Sequence, residues 1–120
     1  MSELVRVQLE ERGDVVVAHL AGELDIASAP GARQTIEAAV SRDMRALVVD
    51  CSELSFMDSS GLAMLFSLAR RLGSRRQQLH VVAPGGAAVA RVLDLVEFRK
   101  AAPLYPALDE ALAALGADAA

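Results

Sequence analysis

The stretch ALVVDC, residues 46–51, constrains the fold more than any other part of this 120-residue chain. It is a short continuous apolar run flanked by polar residues, the pattern of a central strand buried on both faces. Its surroundings supply the rest of a sheet. LVRVQLE (4–10) and DVVVAHL (14–20) are rich in β-formers, the first alternating cleanly, and ERGD between them contains the glycine that a hairpin turn needs. Ala29, Ala32, Ile36, Ala39 and Val40 then fall at helical spacing, predicting a helix from about Ser28 to Arg42 with Pro30 in its first turn and Asp25 or Ser28 as its cap.

After ALVVDC, the segment SELSFM reads as a connection. Leu62, Leu65, Phe66, Ala69 and Leu72 form the stripe of a second helix, with Arg70 and Arg71 in its last turn and Gly73 as its stop. QLHVVAP is a further strand. Val89, Val92, Leu93 and Val96 predict a third helix, EFRKA a short strand, and the segment from about Tyr105 to Leu115 a final helix ended by Gly116, with a frayed tail behind it. A hairpin followed by strand–helix alternation gives an α/β fold: a mixed sheet, mostly parallel after the hairpin, packed against about four helices. Residues 1–120 form one domain, without repeats or a linker.

Composition narrows the function. Hydrophobic residues make up 53% of the chain but aromatics only 3%, so the core is built from Val, Leu, Ile and Ala, with no Trp for base stacking. A net charge of -4 repels a polyanion, which argues against direct nucleic-acid binding and for a protein partner. No export signal or run long enough for membrane insertion is present, so the expected location is the cytoplasm. Cys51, the single cysteine, is expected as a buried core thiol.

The chemistry points to FMDSSGLAML, residues 56–65. An acid and two hydroxyls stand between a strand and a helix, where one capping residue would suffice. Strand C-terminal ends and helix N-terminal ends share an edge in such sheets, so Asp25, after strand two, is expected on the same surface as Asp58, Ser59 and Ser60. Phosphorylation of a serine there adds about 1.5–2 negative charges beside the acids without unfolding the helix. The bland alternative leaves all three residues as helix caps.

Other chemistries lack context. Asp50, read as a strand-end residue held by neighbouring backbone, resembles a receiver phosphoacceptor, but strand one leads into a hairpin rather than a paired-acid metal site. His19 and His80 read as structural strand residues, and MDSSG is not a G-x-S-x-G elbow. The glycines of PGGAAVARVL read as a turn rather than a nucleotide loop, and Arg70, Arg71, Arg75 and Arg76 as a solvated helix terminus. No metal-ligand spacing stands out, and no enzyme activity or cofactor is expected.

GELD at 22–25 together with LSFMDSSGL at 54–62 resembles the anti-sigma factor antagonists, single-domain members of the STAS family of the sporulation and general-stress-response type. The resemblance extends to element order over essentially the whole chain. It implies a STAS-like fold and a phosphorylated serine at Ser59, with Ser60 as its neighbour. It further implies a partner-binding surface around Glu23, Asp25, Asp58, Ser59, Ser60 and Gly61. The implied partners are an anti-sigma factor with serine-kinase activity, which the unphosphorylated form binds to free the sigma factor, and a metal-dependent serine phosphatase that restores that form. STAS scaffolds of stress or lipid-transport complexes are the alternative that the family leaves open.

Overall fold

The computed structural model describes residues 5–117 as five strands and four α-helices. In chain order these are β1 (Val5–Arg12), β2 (Val15–Leu24), α1 (Ala29–Ala39), β3 (Ala46–Met57), α2 (Ser59–Ser74), β4 (Gln78–Val82), α3 (Ala88–Leu95), β5 (Leu104–Tyr105) and α4 (Leu108–Ala114). The strands lie side by side in the order β1-β2-β3-β4-β5. β1 and β2 are antiparallel and every later pair is parallel, so the sheet is mixed as its alternation predicts. Arg12 pairs with Val15 across a two-residue turn in which Gly13 takes φ +63°, a conformation that a side chain would resist.

Alternation along β2 and β3 sorts the core into two layers. Val16, Ala18, Leu20, Leu47, Val49 and Cys51 face α1, α2 and α3 in the larger cluster. Val15, Val17, Ala46 and Val48 face the other way, where α4 covers them with Ala111, Leu112 and Leu115. β3 is therefore buried on both faces over Ala46–Cys51, as the unbroken apolar run requires. None of the described helices is long and apolar enough to cross a membrane.

Several elements differ from expectation, each for a tertiary reason. β2 and β3 both run past their apolar stretches, so GEL and SELSFM are strand, held by mutual pairing through two register shifts and by Gly22 at φ +104°. α1 stops at Ala39, because Val40 leaves the helical conformation and is buried in the core. Gly73 lies inside α2. That helix closes instead with Arg76 at φ +58°, where Gln77 N–H bonds Leu72 C=O and Arg76 N–H bonds Gly73 C=O. Ala90 rather than Val96 completes the buried stripe of α3, and Val96 is exposed beyond the helix end.

EFRKA is not a strand. Glu97 turns left-handed and Phe98–Lys100 form a 3₁₀ turn that delivers Phe98, fully buried, edge-on to Phe66 with ring centroids 5.1 Å apart. The pairing moves on to β5, where Leu104 and Tyr105 stand opposite Val81 and Val82. α4 begins three residues after Tyr105 and ends, as expected, at Gly116 with φ +68°. Most of the expected frayed tail, residues 118–120, lies outside the described residues.

Candidate functional site

The extensions of β2 and β3 place the site. The two strands run parallel and stay paired to their last residues, Leu24 opposite Met57, and the N–H of Asp58 donates to the Leu24 carbonyl at 3.2 Å. The turns that follow, one into α1 and one into α2, therefore leave the sheet from adjacent positions on one edge. Asp25 and Asp58 each open their turn, as the sequence pattern predicts.

In the first turn, Asp25 Oδ1 accepts from the N–H groups of Ala27 and Ser28 at 2.9 and 3.1 Å. Ser28 Oγ donates to the Glu23 carbonyl at 2.9 Å and accepts from the Asp25 N–H at 3.0 Å. Ser28 is thus spent on the turn, and of Asp25 only Oδ1 is engaged among the described residues. In the second turn, Asp58 is extended and its Oδ1 caps α2, accepting from Ser60 N–H at 2.8 Å and Gly61 N–H at 3.3 Å. Ser59, the first residue of α2, is exposed, and no hydrogen bond among the described residues engages its hydroxyl. Ser60 is half-buried.

Gly61 is buried and contributes no side-chain contact to the surface. A Cβ there would stand 2.7 Å from Met57 Cγ and 3.0 Å from Leu24 Cδ2, so the bare backbone lets α2 sit directly on the ends of β2 and β3. Its place is beneath the surface, setting the height of Ser59 above the sheet.

Two apolar residues join the site without having been marked by the sequence patterns. Ile26, beside Asp25, is 77% exposed, and Phe56, two residues before Asp58 and paired across strands with Glu23, is 46% exposed. Each lies within two residues of one of the two aspartates, so apolar surface that the fold leaves uncovered adjoins both turns. Ile26 stands outside the helical stripe of α1, which was a signal. Phe56 was masked because SELSFM reads as a connection rather than as an alternating strand.

The remaining candidates lie elsewhere. Asp50 is within β3, not at its end, and nearly buried. Its carboxylate accepts from Ser52 N–H, as a backbone-held side chain should, and also meets His19 Nδ1 at 2.9 Å, while His19 Nε2 meets Glu10 at 2.8 Å. Burial works against charge on His19, but the hydrogen bonds to Glu10 and Asp50 outweigh it and raise its pKa above the usual 6.5. His80 moves the other way, depressed by burial and then by Arg45. Both histidines are strand residues, as expected. Burial, with Asp50 alongside, pushes the Cys51 thiol up to about 12, so it is a core thiol.

Comparison with known proteins bears on the family and the fold. The STAS domain family model matches residues 6–111. A crystal structure of an anti-sigma factor antagonist from Mycobacterium paratuberculosis superposes with a TM-score of 0.82 and 37% identity over 92% of each chain. The anti-sigma-F factor antagonist RsfB of Mycobacterium tuberculosis is 29% identical over 108 residues, 90% of this chain and 87% of its own. The Bacillus cell fate determinant SpoIIAA in its phosphorylated form gives a TM-score of 0.68 at 25% identity, over 92% of this chain and 99% of that one.

Proposed function

The chain belongs to the STAS domain family, and on that premise we propose that it is an anti-sigma factor antagonist governed by phosphorylation of Ser59. Unphosphorylated, it binds an anti-sigma factor through the edge carrying Glu23, Asp25, Ile26, Phe56, Asp58 and Ser59, and so releases the sigma factor. The anti-sigma factor is also the serine kinase and brings the ATP. A metal-dependent serine phosphatase reverses the modification, and the whole exchange takes place in the cytoplasm. The chain itself binds and is modified without performing catalysis.

The observation that carries this reading is the state of Ser59. Its hydroxyl is exposed and unengaged, and of the helix N–H groups that would draw a phosphate inward, those of Ser60 and Gly61 are already taken by Asp58. A phosphate on Ser59 either displaces Asp58 or stands outward beside it. In both cases about 1.5–2 negative charges arrive on the docking edge while the core stays intact.

The test compares binding of the unmodified protein, its phosphorylated form and two variants to the cognate anti-sigma factor by calorimetry. Ser59→Ala should bind as the wild type does and take up no phosphate by intact mass. Ser59→Asp should bind at least about 100-fold more weakly, near 2.7 kcal/mol, with an unchanged melting profile. Equal affinity of all four species would leave a STAS scaffold whose serines only cap a helix.

A further inference from the structure

Strand β1 forms one edge of the sheet, paired with β2 along Val5–Arg12 and with no other strand among the described residues. Its eight residues hold neither proline nor glycine, and the register shifts of this sheet fall between β2 and β3, leaving the β1–β2 register unbroken. Proteins ordinarily blunt such an edge, because its free N–H and C=O groups template pairing with another chain. Here the side chains instead make the pairing selective.

From the geometry we infer that β1 is the contact between two copies of this chain, joined antiparallel about a twofold axis at Gln8. Cross-strand partners show which residues share a face. Arg6, Gln8, Glu10 and Arg12 stand opposite Ala21, His19, Val17 and Val15 on the face that α4 covers in part, and Val5, Val7, Leu9 and Glu11 lie on the face of α1 to α3. A twofold axis at Gln8 puts Arg6 opposite Glu10 of the second copy, Val7 opposite its Leu9 and Gln8 opposite its Gln8. Each contact occurs twice except the last.

Charge and exposure both select this register. Moving the axis to Leu9 sets Arg6 against Arg12, like charges on facing strands, and moving it to Val7 removes the Arg6–Glu10 pair. An axis between two residues would put side chains of opposite faces against each other. Leu9, 43% exposed in the single chain, is covered by Val7 of the second copy. Arg6 is exposed and makes no ion pair among the described residues, so it is available. Glu10 already meets Arg12 and His19, and a half-buried carboxylate with about four lone-pair sites has capacity for a further donor. The contact is independent of the Ser59 edge, which belongs to β2, β3 and the turns after them.

Sedimentation velocity of the unmodified chain from micromolar to millimolar concentration tests the contact, and Gln8→Cys under mild oxidation tests the register. A concentration-dependent dimer is expected, and Cys substituted for Gln8 should link two chains, since directly opposite Cβ atoms, about 4.5–5.5 Å apart, lie within about 1 Å of the roughly 3.5–4.5 Å that a disulfide spans. The native Cys51 is buried and cannot supply the link. Arg6→Glu should raise the dimer dissociation constant about tenfold or more, because symmetry repeats the repulsion, while its melting profile stays that of the wild type. A monomer at every concentration overturns the inference. So does a dimer that neither links through position 8 nor weakens in Arg6→Glu.

Discussion

The two turns at the end of β2 and β3 are built from the same residue types and do different work. Each begins with an aspartate whose carboxylate accepts two backbone N–H groups, and each has a serine within three residues of it. Each helix that follows has a glycine as its third residue, Gly31 in α1 and Gly61 in α2. In the first turn the serine is bonded on both sides and the glycine faces open space. In the second the serine is free and the glycine is pressed against Leu24 and Met57. Rigidity beneath and freedom above are thus combined at Ser59, and the first turn has neither. Under the proposed function, a modified Ser59 needs a helix that does not depend on its hydroxyl, and Asp58 leaves it that freedom by taking the capping role itself.

Four substitutions test the contrast. The largest effect is expected at Gly61→Ala, where the new methyl group would force Met57 or Leu24 aside and destabilise the protein by about 1–3 kcal/mol in chemical denaturation. A loss below about 0.5 kcal/mol there, by the same measurement and on the ordinary scale of surface changes, would mean that α2 is not seated as tightly as the distances indicate. Ser28→Ala breaks bonds to Glu23 and Asp25 and should cost about 1 kcal/mol. Gly31→Ala, with nothing within reach of its Cβ, should instead stabilise by about 0.5–1 kcal/mol, opposite in sign to its counterpart in α2. Ser59→Ala should be the quietest, within about 0.5 kcal/mol of wild type by the same denaturation curve. If Ser28→Ala and Ser59→Ala proved equally costly, the difference between the two turns would vanish.

Much of this arrangement is legible in the amino-acid pattern. Helical spacing locates α1 and α2 to within a few residues, and the acid–hydroxyl surplus at 58–60 marks the second turn. The strand ends are less legible. SELSFM carries too many polar residues to look like the interior of a strand, yet it is one, because β2 continues beside it. EFRKA looks like a strand but is wound into a 3₁₀ turn, since burying Phe98 against Phe66 in the core outweighs the local β-preference. Phe56 is not legible for the same reason: exposure is a property of the assembled surface, and a residue's type does not report it.

The order of residues by itself determined which segments are apolar and at what period, and with that the mixed sheet, its hairpin and the chemistry available at its edge. Those features are local, fixed by side-chain spacing and by the few residues that permit a turn. Tertiary packing decided how far β2 and β3 extend, how residues 97–101 wind and which glycine is indispensable. Each of these depends on a neighbour distant in sequence: Glu23 opposite Phe56, Phe66 against Phe98 and Leu24 beneath Gly61. Contacts of that kind exist only once the chain has closed on itself.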